Sequence, residues 1–466
     1  MCAITLAQLA SQRSGLPPVP FNLFPSDTRD PYRDYTESDL LQFLQQFRAA
    51  ADSDGGDSEL ASGLLGWALS RASEQMLSDA LAGRVIGPLS LGATDTTDRE
   101  LLPGFEGALA AVPQHFDGIA GAGALRSTAA DMARLLQALL KPGDSPLRPA
   151  LVMARQVRGD GASARGLGWR VQWVGADGQD WPVLWQQGRS GGHSVFVGFR
   201  VDRQQAVVLM GNQASSLAGI GLALLTDSAP PPLPPAPRSA PVPDDVSAYA
   251  GLYEFAAGQE LVLRAVGSTL TAQTTGRLAV PLHPVEPDQF AYPQLPVLLT
   301  FTRDAGDRIE SLRWTEGGVV VPVRRLSARA PRIARTARTL TAEALAPYRG
   351  DYQLDSNVLA RVDVRDGVPG IQLTGTARRP LIAYADDRFA TEDGELEVEA
   401  VRDASGRATR LHLHLLGGKV TLQRVEPVRA ISGPVPEAAA PPTKPRPTRK
   451  SPGKDSAPAP PPPTGH

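Results

Sequence analysis

Three segments in the first part of the chain space their apolar residues at the three-to-four-residue interval of an amphipathic helix. These segments are Leu40–Phe47, Gly63–Leu77 and Ala129–Leu140. Ser127 or Thr128 is suited to cap the last segment, and Asp131 would then lie near its positive N-terminal end. The pattern therefore predicts three helices.

Alternating apolar residues further along predict three strands. These strands are Trp181–Trp185, Ser194–Val201 and Ala206–Met210. The polar run Asp202–Gln205 is typical of the turn that would join the last two. Because helices and strands are mixed within one stretch, we expect an α/β or α+β head.

A later region repeats its landmarks at a constant offset of 99 residues. The offset carries Tyr249–Tyr253 onto Tyr348–Tyr352, Gly276 onto Gly375, Pro281 onto Pro380, Phe290 onto Phe389, and Arg303 and Asp304 onto Arg402 and Asp403. Several landmarks at one offset indicate an internal repeat. Each copy consists of short alternating segments broken by Gly or Asp, which predicts two small antiparallel β-barrels or sandwiches.

Proline-rich composition divides the chain. Ser228–Pro243 contains eight prolines and predicts a semi-rigid spacer, while Pro, Ala, Lys and Ser dominate a tail that we expect to be disordered. The predicted organisation is a head (1–227), a linker (228–243), two β domains (244–327 and 341–428) and a tail (433–466). We expect the spacer to isolate the β domains from the head.

Composition narrows the classes of ligand. The net charge of −2 gives no basic excess and argues against a nucleic-acid partner; the basic run Lys444–Lys454 fits a solvated arm. Cys2 is the single cysteine, which excludes an internal disulfide and a cysteine-based metal site. His412 and His414 alternate with leucines and predict one polar face of a strand rather than a metal site. We expect no cofactor.

The hydropathy of the chain indicates the cellular compartment in which we expect the protein. The chain has no apolar run of the ~20 residues that a transmembrane helix requires. Its first residues lack the basic and apolar regions of a signal peptide. As written, the chain is expected to be cytoplasmic, and periplasmic or secreted if a signal sequence precedes it.

Several short motifs occur through the head in the order in which a known protein family carries them. They are Ile4–Leu9 with Ser14–Pro17, Gly63–Gly66, Pro88–Thr96, Gly121–Asp131, Gly166–Trp169 and Val207–Asn212. In this order they resemble the serine β-lactamase/penicillin-binding-protein family of class C type, and the two β domains resemble the lipocalin-like domains often appended to it. The resemblance implies an α/β head that lacks its N-terminal part.

The resemblance also implies a serine hydrolase site with three parts. A Ser is activated by a Lys one helical turn later (S-x-x-K), a Tyr lies in Y-x-N, and a Lys or His opens K-T-G or H-x-G. The S-x-x-K helix of the family would precede Ile4. The literal match Ser451–Lys454 lies in the tail, where Pro452 and Gly453 oppose a helix.

The remaining family positions carry different side chains. Asp57 and Glu59 stand where Y-x-N has Tyr and Asn, and Gln186 stands where Lys or His opens the last motif; Gly188 keeps its turn, followed by Arg189. A carboxylate ionises near pH ~4 and cannot replace a phenol. Glu59 also adds negative charge where an anionic substrate docks in the family. The sequence therefore predicts no intact catalytic residue.

Gly188–Gly192 matches the G-x-S-x-G pattern of a nucleophile elbow, with Ser190 at its centre. An elbow needs a strand before the serine and a helix after it. Since a strand is predicted on both sides, we expect the glycines to form a turn into an edge strand. Ser190 is then no nucleophile, and His193 is a half-buried strand residue.

Three hypotheses remain open. The first is a degenerate, inactive family member that binds a small molecule or peptide, or acts as a scaffold. The second is an active hydrolase on a β-lactam, D-alanyl peptide or small ester, whose Ser and Lys come from upstream sequence. The third places ligand binding in the β domains, with the head as a support.

Overall fold

The computed structural model describes residues 4–48, 57–97, 101–106, 109–159, 161–176, 179–231, 245–256, 258–292, 297–316, 319–330, 335–355 and 357–425. The predicted spacer from residue 232 onward, the predicted tail, Cys2 and the Ser451–Lys454 match lie outside these residues. The described helices are α1 (Leu6–Ala10), α2 (Glu37–Gln46), α3 (Glu59–Ser73), α4 (Leu77–Leu81), α5 (Ala129–Leu140), α6 (Arg148–Ala154), α7 (Ala218–Thr226) and α8 (Ala342–Leu345). None of these helices combines the length and apolar character that a bilayer crossing requires.

The predicted helices of the head are present, and their starts are set by caps. Thr128 caps α5 by accepting a hydrogen bond from the Asp131 N–H, as the sequence allowed. The helix predicted from Gly63 begins earlier, at Glu59, because the Ser58 side chain accepts a hydrogen bond from the Ala61 N–H. Glu59 is therefore the first residue of α3.

The head contains an antiparallel sheet of four strands in its described part, in the order β3-β4-β5-β6. The strands of the head are β1 (Phe105–Glu106), β2 (Leu109–Ala110), β3 (Arg170–Ala176), β4 (Gln179–Ser190), β5 (His193–Arg200) and β6 (Gln205–Gly211). Leu184 and Phe199 pack with α5 and α6 on one face, whereas Val183 and Phe196 pack with α7 on the other. The sheet is thus covered by helices on both faces, as in an α/β or α+β fold.

Two nearly closed, barrel-like antiparallel sheets follow, each of nine described strands. The first barrel consists of β7 (Gly251–Ala256), β8 (Gln259–Val266), β9 (Thr269–Thr274), β10 (Val280–Pro281), β11 (His283–Glu286), β12 (Gln289–Ala291), β13 (Val297–Arg303), β14 (Ile309–Glu316) and β15 (Val319–Ser327). The second barrel consists of β16 (Gly350–Gln353), β17 (Leu359–Arg365), β18 (Val368–Leu373), β19 (Arg379–Pro380), β20 (Ile382–Ala385), β21 (Arg388–Ala390), β22 (Leu396–Arg402), β23 (Ala408–Leu415) and β24 (Gly418–Val425). Both have the same order of strands.

A buried tyrosine makes the same hydrogen bond at equivalent positions of the two barrels. Tyr253 is fully buried and its hydroxyl donates to the Tyr249 carbonyl at 2.8 Å. Tyr352 does the same with the Tyr348 carbonyl at 2.7 Å. In the second barrel the predicted alternation of β23 is confirmed, since Leu411 and Leu413 are buried and His412 lies between them on the other face.

The expected isolation of both β domains from the head is wrong for the second barrel. The Gln372 side-chain amide donates to the Pro25 carbonyl at 2.9 Å, and the Gly375 N–H donates to the Leu23 carbonyl at 2.8 Å. Leu359, on β17, is buried in the same apolar cluster as the helices α1, α2 and α3. Docking depends on whether two surfaces match, and the spacer sequence carries no information about those surfaces.

Candidate functional site

Two of the family positions lie at the N-terminal end of α3. The Asp57 carboxylate forms an ion pair with the Arg170 guanidinium. The Glu59 carboxylate accepts a hydrogen bond from the Tyr32 hydroxyl at 3.0 Å. Burial, and next the nearby charge of Glu59, raise the pKa of Tyr32, so this phenol stays protonated.

Arg170 connects Asp57 to the sheet. It is the first residue of β3 and lies opposite Trp185 on β4. Its guanidinium carbon lies 5.1 Å from the centre of the Trp185 ring, a geometry that favours a cation–π interaction. Burial lowers the pKa of Arg170, and its Nε is buried without a hydrogen-bond partner in the described chain. Arg170 thus places a positive charge over the Trp185 ring of β4.

Gln186, which the sequence comparison aligns with the Lys or His of the last motif, follows Trp185 on β4. Its side-chain Nε2 donates to the Gly168 carbonyl at 3.4 Å, and its Oε1 accepts from the Gln187 N–H at 3.0 Å. Because an amide carries no charge, Gln186 cannot replace a cation there. Asp57 is thus linked through Arg170 to Trp185, the residue before Gln186 in the middle of β4, whereas Glu59 is bonded to Tyr32.

Gly188, Arg189 and Ser190 complete β4, and Arg189 is exposed. Gly191 and Gly192 form the turn into β5 with φ values of +52° and +77°. The predicted turn between two strands is present, and the elbow geometry is absent from this segment. The expectation that the second strand is an edge strand is wrong, because β5 lies between β4 and β6.

The serine hydroxyls near this site are bonded to groups that cannot act as bases. Ser190 donates to the Gln114 Oε1 at 3.1 Å. The Ser58 hydroxyl donates to the Pro17 carbonyl at 2.6 Å. Ser62 accepts from the side-chain amide of Gln12 at 3.1 Å. Ser58 and Ser190 thus donate to amide oxygens, which orient a hydroxyl but do not take its proton.

His193 lies directly across the hairpin from Ser190 and is half-buried, as predicted. Its Nδ1 lies 3.0 Å from the Gly191 carbonyl and its Nε2 lies 2.8 Å from the Leu102 carbonyl. Both ring nitrogens are thus in contact with backbone oxygens. His193 fastens the hairpin to the loop at Leu102.

The Gly191–Gly192 turn yields a prediction about stability. A Cβ on Gly192 would fall against the backbone nitrogen of Phe105, and φ of +77° disfavours any other residue. We expect Gly192→Ala to lower the free energy of unfolding by about 1–3 kcal/mol, measured by urea denaturation. As a control, Gly191→Asn should cost less, because a Cβ there has its nearest atom at 3.2 Å and Asn tolerates positive φ. Equal losses would contradict this account.

Sequence reasoning missed Arg170. The residue immediately follows the motif Gly166–Trp169, so its place beside the site was readable from the motif. Its pairing with Asp57 was not readable, because 113 residues separate the two.

Two cavities of the described chain differ in size and in exposure to solvent. An open groove of about 540 Å³ lies between α5 and β6, next to Leu136 and Val208. The interior of the second barrel contains an apolar cavity of about 10 Å³ beside Tyr348 and Phe389, too small for an organic ligand. Among the described residues, no group of three or more His, Cys, Asp or Glu side chains is placed to hold a metal ion.

The chain is similar to several known proteins. The sequence model of the β-lactamase family matches residues 2–239, and no curated protein sequence matches the chain. A crystal structure of SurE with D-Leu is 20% identical over 69% of this chain and 78% of that one, with a TM-score of 0.38. An octameric penicillin-binding protein homologue from Pyrococcus abyssi is 17% identical over 70% and 77%, with a TM-score of 0.40. A β-lactamase from Sulfitobacter sp. EE-36 is 20% identical over 46% and 67%, with a TM-score of 0.40.

Proposed function

This chain belongs to the β-lactamase family, and we propose that it is a member that binds a ligand or acts as a scaffold without hydrolysing a substrate. The observation that carries the proposal is the ion pair between Asp57 and Arg170. It stands where the family places a tyrosine that moves the proton of the serine. A carboxylate held by a guanidinium is stabilised in its charged form and is a poor proton acceptor.

The other family positions support the same proposal. Gln186 provides a neutral amide in place of Lys or His, and it is occupied with backbone groups at Gly168 and Gln187. Catalytic groups of this kind act as a unit, so the loss of one removes most of the rate. The rival, an active hydrolase with its Ser and Lys in a preceding segment, would have to work with both changes in place.

The third hypothesis, a ligand inside the β domains, has less support in the second barrel. Its interior is filled by side chains such as Leu411 and Phe389, and the remaining cavity of about 10 Å³ is far too small for an organic ligand. The binding role that we propose is therefore assigned to the head, where the ion pair between Asp57 and Arg170 lies.

We expect the purified chain not to hydrolyse a chromogenic β-lactam or a p-nitrophenyl ester above the rate in buffer. The triple variant Asp57→Tyr, Glu59→Asn and Gln186→His should also fail, because those groups assist a nucleophile and cannot replace one. The measurement is initial rate by absorbance, with an active serine β-lactamase as the positive control.

A fluorophosphonate probe followed by mass spectrometry tests the serines directly. We expect no stoichiometric adduct on Ser58, Ser62 or Ser190. An adduct on one of them that disappears on substitution by Ala would overturn the proposal. Labelling that requires residues added before Met1 would instead support the active hydrolase.

A further inference from the structure

The strand β6 lies at the edge of the four-stranded sheet of the head. It pairs with β5 without a register shift from Gln205 to Gly211. In the part of the chain that the structure describes, no strand pairs with its other side. The loop at Phe105 meets the chain only beyond β6, where the Phe105 N–H donates to the Asn212 carbonyl at 3.0 Å. The outer side of β6 is therefore open to another strand.

The residues of β6 do not oppose such pairing. Edge strands of soluble proteins usually carry charges, prolines or bulges that prevent pairing with another chain. The centre of β6, Ala206–Met210, consists of five apolar residues without a charge or a proline. Ala206 is exposed, and Met210 has 41% of its surface in solvent. None of the three protections is present in this strand.

The open groove of about 540 Å³ runs beside this strand. Ala206 and Val208 line it from β6, and Ala133 and Leu136 line it from α5. Because alternate residues of a strand face the same side of a sheet, Met210 faces the side of α5 as well. The side chains of a strand added to β6 would lie in this groove.

We propose that β6 pairs antiparallel with β6 of a second copy of the chain, about a twofold axis through Val208. The two four-stranded sheets then form one continuous sheet. In this register Ala206 of each copy lies opposite Met210 of the other, so that a small side chain faces a large one. Each Met210 fills part of the groove beside the other copy's Ala206. The twofold axis makes the same contact twice.

The distribution of charge favours a second copy as the occupant. Asp202 and Arg203 lie in the turn at the start of β6, and antiparallel pairing brings them to the uncharged end of the other strand, at Gly211. Lys141 is the charged residue that lines the groove, and it follows the C-terminal end of α5. The twofold axis keeps the two copies of Lys141 at opposite ends of the interface. Like charges therefore do not meet across it.

The helix α5 adds to the area that a dimer needs. Stable interfaces bury roughly 1,200–2,000 Å², more than one pair of strands supplies. Leu136 of α5 packs in one cluster with Phe199 of β5 and Val208 of β6, so α5 lies over these two strands. Since paired strands are about 4.8 Å apart, the axis would place the two α5 helices about 10 Å apart, at the upper end of the range for packed helices. The exposed residues of α5 that line the groove include Ala129 and Ala133, which are small enough for this approach.

Sedimentation velocity of the full chain tests the pairing. We expect a dimer of about twice the 49.3 kDa mass of one chain. Ala206→Lys with Met210→Lys places like charges opposite one another twice and should raise the dissociation constant about a hundredfold. Ala206→Lys with Met210→Glu places opposite charges there and should restore most of the dimer. Within one copy the two positions are about 13 Å apart, so an ion pair inside the strand cannot explain such a recovery.

The matched control adds the same two charges elsewhere. Val319 and Val320 are 65% and 54% exposed on β15 of the first barrel, so Val319→Lys with Val320→Lys should leave the dimer intact. Circular dichroism of every variant should match that of the parent chain. Equal dissociation in this control, or in both double variants of β6, would overturn the proposal.

Hydrogen exchange of the parent chain gives a test that needs no variant. The backbone amides of Gln205–Gly211 should exchange more slowly as the protein concentration rises, because pairing protects those that point away from β5. Exchange that does not depend on concentration would overturn the proposal. A monomeric parent chain would also overturn it and would leave the groove to a different partner. The pairing does not depend on the proposed binding role, and none of these results bears on the hydrolysis assay.

Discussion

The Asp202→Ala variant is expected to unfold with a free energy about 3–5 kcal/mol lower than that of the parent chain. Arg200, at the end of β5, is only 1% exposed. Its Nη2 lies 2.6 Å from the Asp202 Oδ2, and its Nη1 donates to the Leu225 carbonyl at 3.1 Å, near the end of α7. Removing Asp202 leaves the buried guanidinium with only a carbonyl as its partner. A buried charge without a counter-charge strongly destabilises the folded state.

A double-mutant cycle separates this effect from simple loss of packing. Arg200→Met removes the buried cation and leaves Asp202 near the surface of the turn, so it should cost less than Asp202→Ala. The double variant Arg200→Met with Asp202→Ala should be more stable than Asp202→Ala alone, because no charge is then left buried. Additive losses in urea denaturation would show that the pair is not coupled.

The same pair predicts a pH dependence. Hydrogen bonds from Arg200 hold the pKa of Asp202 below its usual value, which in an unfolded chain is about 3.9. The stabilisation is therefore fully present above about pH 4 and is lost as the pH falls through the lower, folded-state pKa. In Arg200→Met this part of the acid sensitivity should disappear, and unchanged acid unfolding would contradict the assignment.

Local features could be predicted from the sequence because neighbouring residues determine them. The cap at Thr128 and the polar face of β23 depend on residues within a few positions of one another. The glycine turn between β4 and β5 follows from the Gly191-Gly192 dipeptide in the same way. These features were predicted in the right place.

Features that join distant parts of the chain could not be predicted. Asp57 meets Arg170 across 113 residues, and Gln372 meets Pro25 across 347. Gln273 and Gln372 stand 99 residues apart and each donates to a carbonyl of its own loop, but the second acceptor is Glu395 in one case and Pro25 in the other. Similar sequences thus dock on different surfaces.

The contact between the second barrel and the head leads to the second large expected effect. Leu359 belongs to β17 but is 2% exposed within an apolar cluster that includes Leu9, Phe21 and Phe43 of the head. We expect Leu359→Ala to lower the free energy of unfolding by about 2–5 kcal/mol, because it opens a cavity between the head and the second barrel. Hydrogen exchange should show faster exchange of the Gly375 N–H, which donates to the Leu23 carbonyl, and of the non-proline amides in residues 18–25, the segment that this contact holds against the barrel.

The control makes the same substitution outside this contact. Leu354 lies in the second barrel too, but it is 41% exposed, so Leu354→Ala should change stability by no more than about 0.5 kcal/mol.

Gln372→Leu gives a third variant, which keeps the apolar packing and leaves the Pro25 carbonyl without its donor. It should accelerate exchange in residues 18–25 with a smaller loss of stability, about 1–3 kcal/mol. Equal losses of stability in Leu359→Ala and Leu354→Ala would show that the head does not depend on the second barrel. Unchanged exchange of residues 18–25 in both Leu359→Ala and Gln372→Leu would show the same. If the predicted order holds, the apolar contact at Leu359 is the main support that this barrel gives to the head, and the hydrogen bond from Gln372 is the smaller one.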